Sequence, residues 1–324
     1  MRAVRIHEFG APEVMKVEET RDPVAGHGEV LIKIEAVGVN PVDTYIRAGA
    51  YAILPELPYT PGGDAAGTVE ALGKGVSGFA VGDRVYMAGI AGGRNYGATA
   101  EKAAVPETVL FPLPGNSDFA AGAALGVPYA TAYFGLFQRG QAKPGQTLFV
   151  HGASGAVGTA ALQMARAHGM TVIGSGGTDK GRQLVLDQGA HHVLDHTSDG
   201  YIDELRGLTG GSGPDLILEM LANVNLAKDL DVIAKYGRIV IIGNRGEIEI
   251  NPRATMMKNI DVVGLALPNA SSEEMRSIHA ALGAGLECGT LKPVIGREMA
   301  LEEAAAAHHA VLEPGAFGKI VLKP

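Results

Sequence analysis

The sequence has almost no cysteine, since Cys288 is the only one among 324 residues. A single thiol excludes a disulfide within the chain and a zinc site built from several cysteines, and it favours a reducing compartment. The chain also lacks an excess of basic residues, because 27 Lys and Arg stand against 35 Asp and Glu, a net charge of −8. Proteins that bind nucleic acid nonspecifically need clustered cations. The composition therefore disfavours a nucleic-acid partner.

The sequence also has little that indicates export or a membrane span. Residues 1–7 run directly into an alternating pattern, without an apolar core followed by a cleavage site, so we expect no signal peptide and a cytoplasmic location. Residues 119–138 carry no charge, over roughly the length of a membrane span. Because Pro128 and several Gly, Tyr and Thr residues interrupt this segment, we expect a buried helix start between two domains and no membrane partner.

The pattern of predicted secondary structure changes near residue 146. The length of the chain also favours two domains. Before that point, residues 29–37 and 68–72 alternate apolar and polar side chains, and another strand pattern begins near residue 82. Short strands separated by glycine and proline predict a compact, barrel-like β domain.

After residue 146, strands and helices alternate regularly. The predicted strands are Thr147–Val150, 171–173, His192–Leu194, 215–218, Arg238–Ile241 and 259–267. Such alternation buries each strand on both faces and predicts a doubly wound parallel sheet. Two helices at 272–286 and 301–312 and a strand at 318–322 do not extend the alternation, so we expect them to fold back onto the first domain. The predicted bounds are 1–124 with 269–324 for the first domain and 125–268 for the second.

The strongest chemical signal is the segment His-Gly-Ala-Ser-Gly-Ala-Val-Gly at residues 151–158, between a strand and a helix. A pyrophosphate needs backbone N–H groups that it can approach closely at a helix N-terminus. Gly155 would permit that approach and Gly158 would let helix and strand pack closely, whereas Ala153 stands in place of the usual first glycine. This segment predicts a dinucleotide site.

The end of the second strand bears on which dinucleotide binds. An NAD site places an acidic residue there for the ribose hydroxyls, whereas a 2′-phosphate needs that acid to be absent and a cation nearby. Ser175 and Gly176 occupy this place, and Lys180 and Arg182 follow. We therefore expect NADPH, although both cations could instead form a solvated helix face and Asp179 would repel a phosphate if it pointed inward.

Six segments together resemble the zeta-crystallin-like quinone oxidoreductases of the medium-chain dehydrogenase/reductase superfamily. They are residues 38–47, 58–64, 127–133, 151–158, 219–226 and 248–253, and the resemblance covers nearly the whole chain. It implies an α/β protein with a GroES-like, β-barrel-type substrate domain and a doubly wound Rossmann domain. It further implies NADPH bound between them and zinc-independent transfer of reducing equivalents to a quinone.

The resemblance also implies roles for individual residues. The catalytic candidates are Tyr45, Asn40 and Thr131. The cofactor-binding candidates are Tyr45, Thr131, Ser154, Gly155, Ala156, Val157, Gly158, Gly177, Lys180, His196, Asn225, Ile242, Gly243, Asn244, Arg245, Leu265, Ala266 and Leu267. Four of these have plainer alternatives: a helix cap for Asn225, a free loop histidine for His196, a packing aromatic for Tyr45 and a surface charge for Arg245.

We expect no metal at the substrate site. A catalytic zinc ion needs converging Cys, His and acidic ligands, and the segments around Asn40 and Asp64 contain neither Cys nor His. Without a Lewis acid the protein would supply hydrogen-bond donors to the developing oxyanion, with Tyr45 the first candidate and Asn40 the next.

Several alternatives stay open at this point. The acceptor could be an enal or enone, or the chain could be an NADPH-binding protein with a structural or regulatory role. Which quinone reacts, and whether one or two electrons are transferred, are also open. Residues 88–101, with Arg94 and Tyr96, are longer than the corresponding family segment and leave the substrate class in doubt. The edge strand at 259–267 and the family resemblance predict a homodimer or homotetramer.

Overall fold

The computed structural model describes residues 1–89 and 97–324 and divides into two compact units. Unit 1 comprises Met1–Pro128, His279–Glu313 and Gly318–Pro324, and unit 2 comprises Tyr129–Ile278 and Pro314–Phe317. Arg94 and Tyr96, on which the expectation of a longer loop rests, lie outside the described residues.

The strands and helices have the following bounds, in chain order. The strands are β1 (Arg2–Arg5), β2 (Lys16–Glu19), β3 (Glu29–Val39), β4 (Asp64–Leu72), β5 (Arg84–Ala88), β6 (Lys102–Pro106), β7 (Leu110–Pro112), β8 (Thr147–Val150), β9 (Thr171–Ser175), β10 (His192–Leu194), β11 (Leu216–Glu219), β12 (Arg238–Ile241), β13 (Asp261–Gly264), β14 (Ile295–Ala300) and β15 (Lys319–Lys323). The helices are α1 (Pro41–Arg47), α2 (Phe119–Ala123), α3 (Gly126–Tyr133), α4 (Ala156–Ala167), α5 (Asp179–Asp187), α6 (Tyr201–Leu208), α7 (Ala222–Val232), α8 (Arg253–Lys258), α9 (Ser272–Glu287) and α10 (Ala304–Ala310).

Unit 1 is built around a sheet in the order β14-β15-β3-β4-β5-β7, with β6 paired to β3. The predicted strand at 29–37 is confirmed and extends to Val39, and its apolar Val30, Ile32 and Ile34 are buried in the core. The strand predicted at 318–322 is confirmed as β15, which pairs antiparallel with β3. The segment Lys319–Lys323 therefore belongs to the sheet of the first unit.

Unit 2 holds a six-stranded parallel sheet in the order β10-β9-β8-β11-β12-β13. Leu148, Phe149, Ile217 and Ile239 have no exposed surface, as expected for strands covered on both faces. This confirms the doubly wound sheet. Ligands bind such sheets beyond the carboxyl ends of the strands, which here are the ends of β8, β9, β11 and β12.

Two predicted elements differ from the structure. The strand predicted at 259–267 is the shorter β13, because Asn259 adopts a left-handed φ of 53° that ends α8, and Leu267 begins a 3-10 turn. The segment at 119–138 is α2, α3 and a π-helical turn at Phe134–Arg139. Within residues 1–89 and 97–324, no helix has the length and apolar character needed to cross a membrane.

Candidate active site

The glycine-rich segment forms the predicted turn between β8 and α4. Gly152 has a φ of 55°, which favours glycine, and Gly155 is the N-cap residue of α4. A Cβ on Gly158 would lie 2.5 Å from Cα of Ala153, so only glycine allows this contact between turn and helix. Ala153 itself is fully buried. The N–H groups of the first turn, from Ala156 onward, are those that an α-helix leaves unpaired for an anion.

Ser154 contacts a segment that the sequence reasoning did not connect with this loop. Its Oγ donates a hydrogen bond to the carbonyl oxygen of Ala316 at 2.7 Å. Ala316 belongs to Pro314–Phe317, which clusters with unit 2 although the residues on either side belong to unit 1. No periodicity in the sequence signals this contact between residues so distant along the chain.

The end of β9 has the polar, carboxylate-free character that the sequence indicated. Ser175 is fully buried, and its Oγ accepts the Gly152 N–H at 3.2 Å. The same Oγ lies 3.2 Å from Nδ1 of His196. A Cβ on Gly177 would lie 2.8 Å from Nε2 of His196, so the structure brings these two candidates together. Burial lowers the pKa of His196, which favours a neutral ring.

The two cations after β9 differ in their surroundings. Arg182 forms ion pairs with Asp179 and, at 2.8 Å, with Asp195. Lys180 has no carboxylate partner among the described residues, and its Nζ lies 4.2 Å from the ring centroid of Phe317. Lys180 is therefore the cation that a 2′-phosphate could recruit without breaking an ion pair.

A buried cluster joins His151, the first residue of the glycine-rich segment, to Glu219 and Asp229. Nε2 of His151 is 2.7 Å from Oδ1 of Asp229 and 3.2 Å from Oε2 of Glu219, and all three side chains are at most 4% exposed. Burial raises the pKa of Glu219 to about 7 and that of Asp229 to about 7, and it lowers the pKa of His151. The cluster therefore shares protons near neutral pH. No pattern in the sequence indicates that these three residues meet.

Asn225 lies inside α7, which begins at Ala222 with Leu221 as its N-cap. The alternative that Asn225 caps the following helix is therefore wrong. Its Nδ2 donates to Oε1 of Glu219 at 3.2 Å. The side chain is half-buried, so it extends the buried cluster towards the carboxyl edge of the sheet.

The segment after β12 is held against the segment after β11. A Cβ on Gly243 would lie 2.2 Å from the carbonyl oxygen of Met220, and the Ala222 N–H donates to the carbonyl of Gly243 at 3.0 Å. The Ile242 N–H donates to the carbonyl of Glu219 at 2.8 Å. Position 243 therefore requires glycine, because the backbone there approaches the backbone of Met220 too closely for a side chain.

The remaining candidates of this edge have few side-chain contacts. Nδ2 of Asn244 donates to the carbonyl of Gly246 at 2.6 Å, and the Arg245 N–H donates to Oδ1 of Asn223 at 3.0 Å. The Arg245 side chain is exposed. Leu265, Ala266 and Leu267 follow β13, with the Leu265 N–H donating to the carbonyl of Ile241 at 3.0 Å. Thr131 is buried in α3.

Unit 1 buries a second polar cluster around Asn40. Nδ2 of Asn40 donates to Oδ2 of Asp64 at 2.8 Å, and its backbone N–H donates to Oδ2 of Asp43 at 2.8 Å. Nζ of Lys319 donates to Oδ1 of Asn40 and, at 3.3 Å, to Oδ2 of Asp64. Tyr45, in α1, is half-buried, and its hydroxyl has no hydrogen-bond partner among the described residues.

The charges of this second cluster favour an ion pair. Burial lowers the pKa of Lys319 and raises that of Asp64, while their attraction opposes both shifts. Asp64 also accepts the Val127 N–H at 3.0 Å, and donors aimed at a carboxylate favour its ionised form. The sequence analysis did not include Lys319, although a lysine in an apolar strand is a signal of a buried partner.

The comparisons with known proteins agree with this architecture. The alcohol dehydrogenase GroES-like domain family matches residues 26–115, and the zinc-binding dehydrogenase family matches residues 156–282. A human quinone oxidoreductase is 48% identical over 99% of this chain and 97% of its own length. These matches confirm the GroES-like and Rossmann assignments.

Solved structures of similar proteins cover the whole of this chain. A structure described as an NAD-dependent alcohol dehydrogenase is 30% identical, covers 100% of both chains and has a TM-score of 0.92. The Escherichia coli quinone oxidoreductase in complex with NADPH is 27% identical, covers 100% of both chains and has a TM-score of 0.87. From the nearly full-length identity to the human enzyme and the two family matches, this chain belongs to the zeta-crystallin-like quinone oxidoreductase family of the medium-chain dehydrogenase/reductase superfamily.

Proposed function

We propose that this chain is an NADPH-dependent quinone oxidoreductase. The observation that carries the proposal is the end of β9, where Ser175 is buried in place of a ribose-binding carboxylate and Lys180 has no acidic partner among the described residues. The human relative is named a quinone oxidoreductase, and the E. coli one was solved with NADPH. Because another similar structure is described as NAD-dependent, cofactor preference is the property to measure.

The residues at the carboxyl edge of unit 2 fit such a dinucleotide. The α4 N-terminus with Ser154 to Gly158 would hold the pyrophosphate. Gly177, Lys180 and His196 would surround the adenosine ribose and its phosphate. Asn225, the segment 242–245, the segment 265–267 and Thr131 would line the nicotinamide half. The family resemblance also implies a cofactor contact for Tyr45.

NADPH bound there supplies a hydride to the acceptor. Tyr45 is a suitable donor to the developing oxyanion, because its hydroxyl is half-buried and its hydrogen-bonding capacity is not used by the described residues. Asn40 gives one N–H to Asp64, and its second N–H can serve as another donor. Neither group has to transfer a proton, since a quinone delocalises the incoming charge.

We also propose that the reaction needs no metal. The support is the ammonium group of Lys319, which donates to both Asn40 and Asp64. A divalent cation at those oxygens would face that positive charge at close range. In unit 2, His151, Glu219 and Asp229 offer ligand atoms within 4.8 Å of one another, but Nε2 of His151 is 2.7 Å from Oδ1 of Asp229, a distance typical of a direct hydrogen bond.

The remaining expectations stay proposals. We propose that residues 1–124 and 269–324 form the first domain and residues 125–268 the second. We also propose a cytoplasmic location and assembly into a homodimer or homotetramer. The oligomer is supported by β13, an edge strand with Val262 exposed, and by α8, which exposes Met256 and Met257. Light scattering of the purified protein measures the mass of the assembly.

The test is NADPH oxidation by the purified protein with ortho-quinones, para-quinones and 2-alkenals, with NADH run alongside. We expect quinone turnover to exceed enal turnover, with a strong preference for NADPH. Faster enal turnover would instead indicate an alkene reductase. Tight NADPH binding without turnover of any acceptor would contradict the enzymatic assignment.

Two glycine variants separate binding from folding in the phosphate loop. A side chain at position 155 meets only ordinary contacts, the nearest at 3.5 Å, so Gly155→Val should fold yet lose NADPH affinity by about 100-fold or more, because it obstructs the pyrophosphate. Gly158→Ala should lose about 1–3 kcal/mol of stability through its clash with Ala153. Thermal unfolding and NADPH fluorescence measure the two effects. Equal loss of stability in both variants would contradict the assignment of the two glycines.

A further inference from the structure

The two oxygens of Glu219 face different partners. Oε1 accepts the backbone N–H of Leu221 and Nδ2 of Asn225, the latter at 3.2 Å. Oε2 lies 3.2 Å from Nε2 of His151, which also hydrogen-bonds Asp229. One carboxyl group therefore joins a fully buried cluster to a half-buried amide at the carboxyl edge of the sheet.

This contact fixes the orientation of the Asn225 amide. An ionised carboxylate only accepts hydrogen bonds, so the NH₂ group of Asn225 has to face Glu219 when Glu219 is ionised. Oδ1 of Asn225 then points away from Glu219, and it accepts no hydrogen bond from the described residues. A half-buried acceptor in this orientation suits a hydroxyl group as its ligand.

We propose that Glu219 is the positioning residue of Asn225, holding the amide so that Oδ1 accepts a hydrogen bond from a ribose hydroxyl of the bound dinucleotide. The inference rests on the proposed function, because it needs a dinucleotide at this edge. It goes further by assigning the direction of one hydrogen bond and by giving a role to a carboxyl group that does not touch the ligand.

The cluster makes this orientation depend on pH. Ionised Glu219 holds the NH₂ group by a charge-assisted hydrogen bond, which is stronger than a neutral one. Burial raises the pKa of both Glu219 and Asp229 to about 7, so the proton is lost within the range of ordinary assays. The other titratable or charged groups that act on the cluster are His151, Lys228, Tyr201 and, through His151, His196. NADPH affinity should therefore rise from pH 6 to pH 8.

The experiment is a double-mutant cycle on NADPH affinity, measured by fluorescence titration at pH 6 and pH 8. Glu219→Gln preserves the shape of the side chain without its charge, and Asn225→Ala removes the amide. We expect Glu219→Gln to bind like the parent at pH 6 and about three- to fivefold more weakly at pH 8. In the Asn225→Ala background, the substitution at 219 should have no further effect at either pH.

Asp215→Asn is the matched control. Asp215 also accepts a backbone N–H, from Thr147 at 2.7 Å, but at the amino end of the same sheet. This variant should keep the parental NADPH affinity and its parental pH dependence. If Glu219→Gln does not fold, the NADPH affinities of the parent and of Asn225→Ala are compared at both pH values. This comparison tests the coupling without any change at Glu219.

Additive effects of the two substitutions would overturn the positioning role while leaving NADPH binding intact. The positioning role would also be overturned if the pH dependence of NADPH affinity in the parent persists unchanged in Asn225→Ala, because the pH dependence would then not arise from the amide. Failure of the folded parent to bind NADPH would overturn the proposed function and this inference together. Loss of the pH dependence in Asn225→Ala, with non-additivity in the cycle, supports the inference.

Discussion

Each of the two units buries one polar cluster at its candidate site, and the two clusters differ in charge. In unit 1, Lys319 and Asp64 form an ion pair that also binds Asn40. In unit 2, Glu219 and Asp229 face a single imidazole, that of His151. With Asp43, the first cluster also holds two carboxyl groups and one base, but its base is an ammonium group, whereas the base of the second is an imidazole.

The difference decides which cluster responds to pH. In unit 1, attraction within the ion pair and hydrogen bonds to Asp64 oppose the cost of burial. In unit 2, burial is the largest influence on both carboxyl groups and raises their pKa to about 7. Asp43 is the exception in unit 1, since burial also raises its pKa to about 7. The side-chain amide of the proposed oxyanion donor Asn40 is thus held by the ion pair of Lys319 and Asp64, and that of the proposed ribose ligand Asn225 by a titrating group.

The largest effect is expected from removing the cation of unit 1. Lys319→Met leaves Asp64 buried without its partner, which should lower the free energy of unfolding by about 3–5 kcal/mol. Urea denaturation measures the loss. Lys323→Met, on the same strand with a side chain 41% exposed, is the control and should change stability by less than about 0.5 kcal/mol. Equal effects of the two variants would refute the buried ion pair.

A smaller effect should follow from the acidic cluster of unit 2. The pKa of Asp229 is raised from 3.8 to about 7, so its contribution to stability is greatest below pH 4 and falls as pH rises to 7. The fall is on the order of 1.4 kcal/mol per pH unit for one uncoupled group. Asp229→Asn should flatten this part of the stability curve. Asp231→Asn, on the same helix but 72% exposed in its side chain, should not, and an unchanged slope in Asp229→Asn would contradict the shared-proton interpretation.

The smallest of the three effects should be the acid sensitivity of unit 1 at His279. Nδ1 of His279 lies 2.9 Å from the Tyr86 hydroxyl, and burial lowers the pKa of this histidine from 6.5 to about 4. Its contribution to stability is complete above pH 6.5 and is lost as pH falls towards 4. Urea denaturation across this range should show a shallower loss in His279→Asn than in the parent, whereas the exposed His309→Asn should match the parent. A parental slope in His279→Asn would exclude His279 as the source.

Much of the fold could be predicted from the sequence, because local residue patterns indicate the strands and helices. Period-two alternation identified β3, and the alternation of strands and helices identified the sheet of unit 2. The strand at 259–267 was overextended because apolar residues alone do not reveal the left-handed Asn259. The helix cap assigned as the alternative for Asn225 was wrong because α7 begins three residues earlier, at Ala222.

The two buried clusters could not be predicted from the sequence. His151 follows β8, Glu219 ends β11 and Asp229 lies in α7, while Asn40, Asp64 and Lys319 also lie far apart along the chain. In its local sequence, each of these residues resembles an ordinary strand end or helix position. Only the parallel register of the sheet and the return of β15 to β3 bring them together.

In the proposed reaction, the chain transfers reducing equivalents to a quinone with its own hydrogen-bond donors and without a metal. The direct measurement is NADPH-dependent quinone turnover by protein dialysed against a chelator, with the metal content of the same sample determined by mass spectrometry. We expect unchanged turnover at a metal content far below one ion per chain. Loss of turnover that returns on addition of zinc would contradict it.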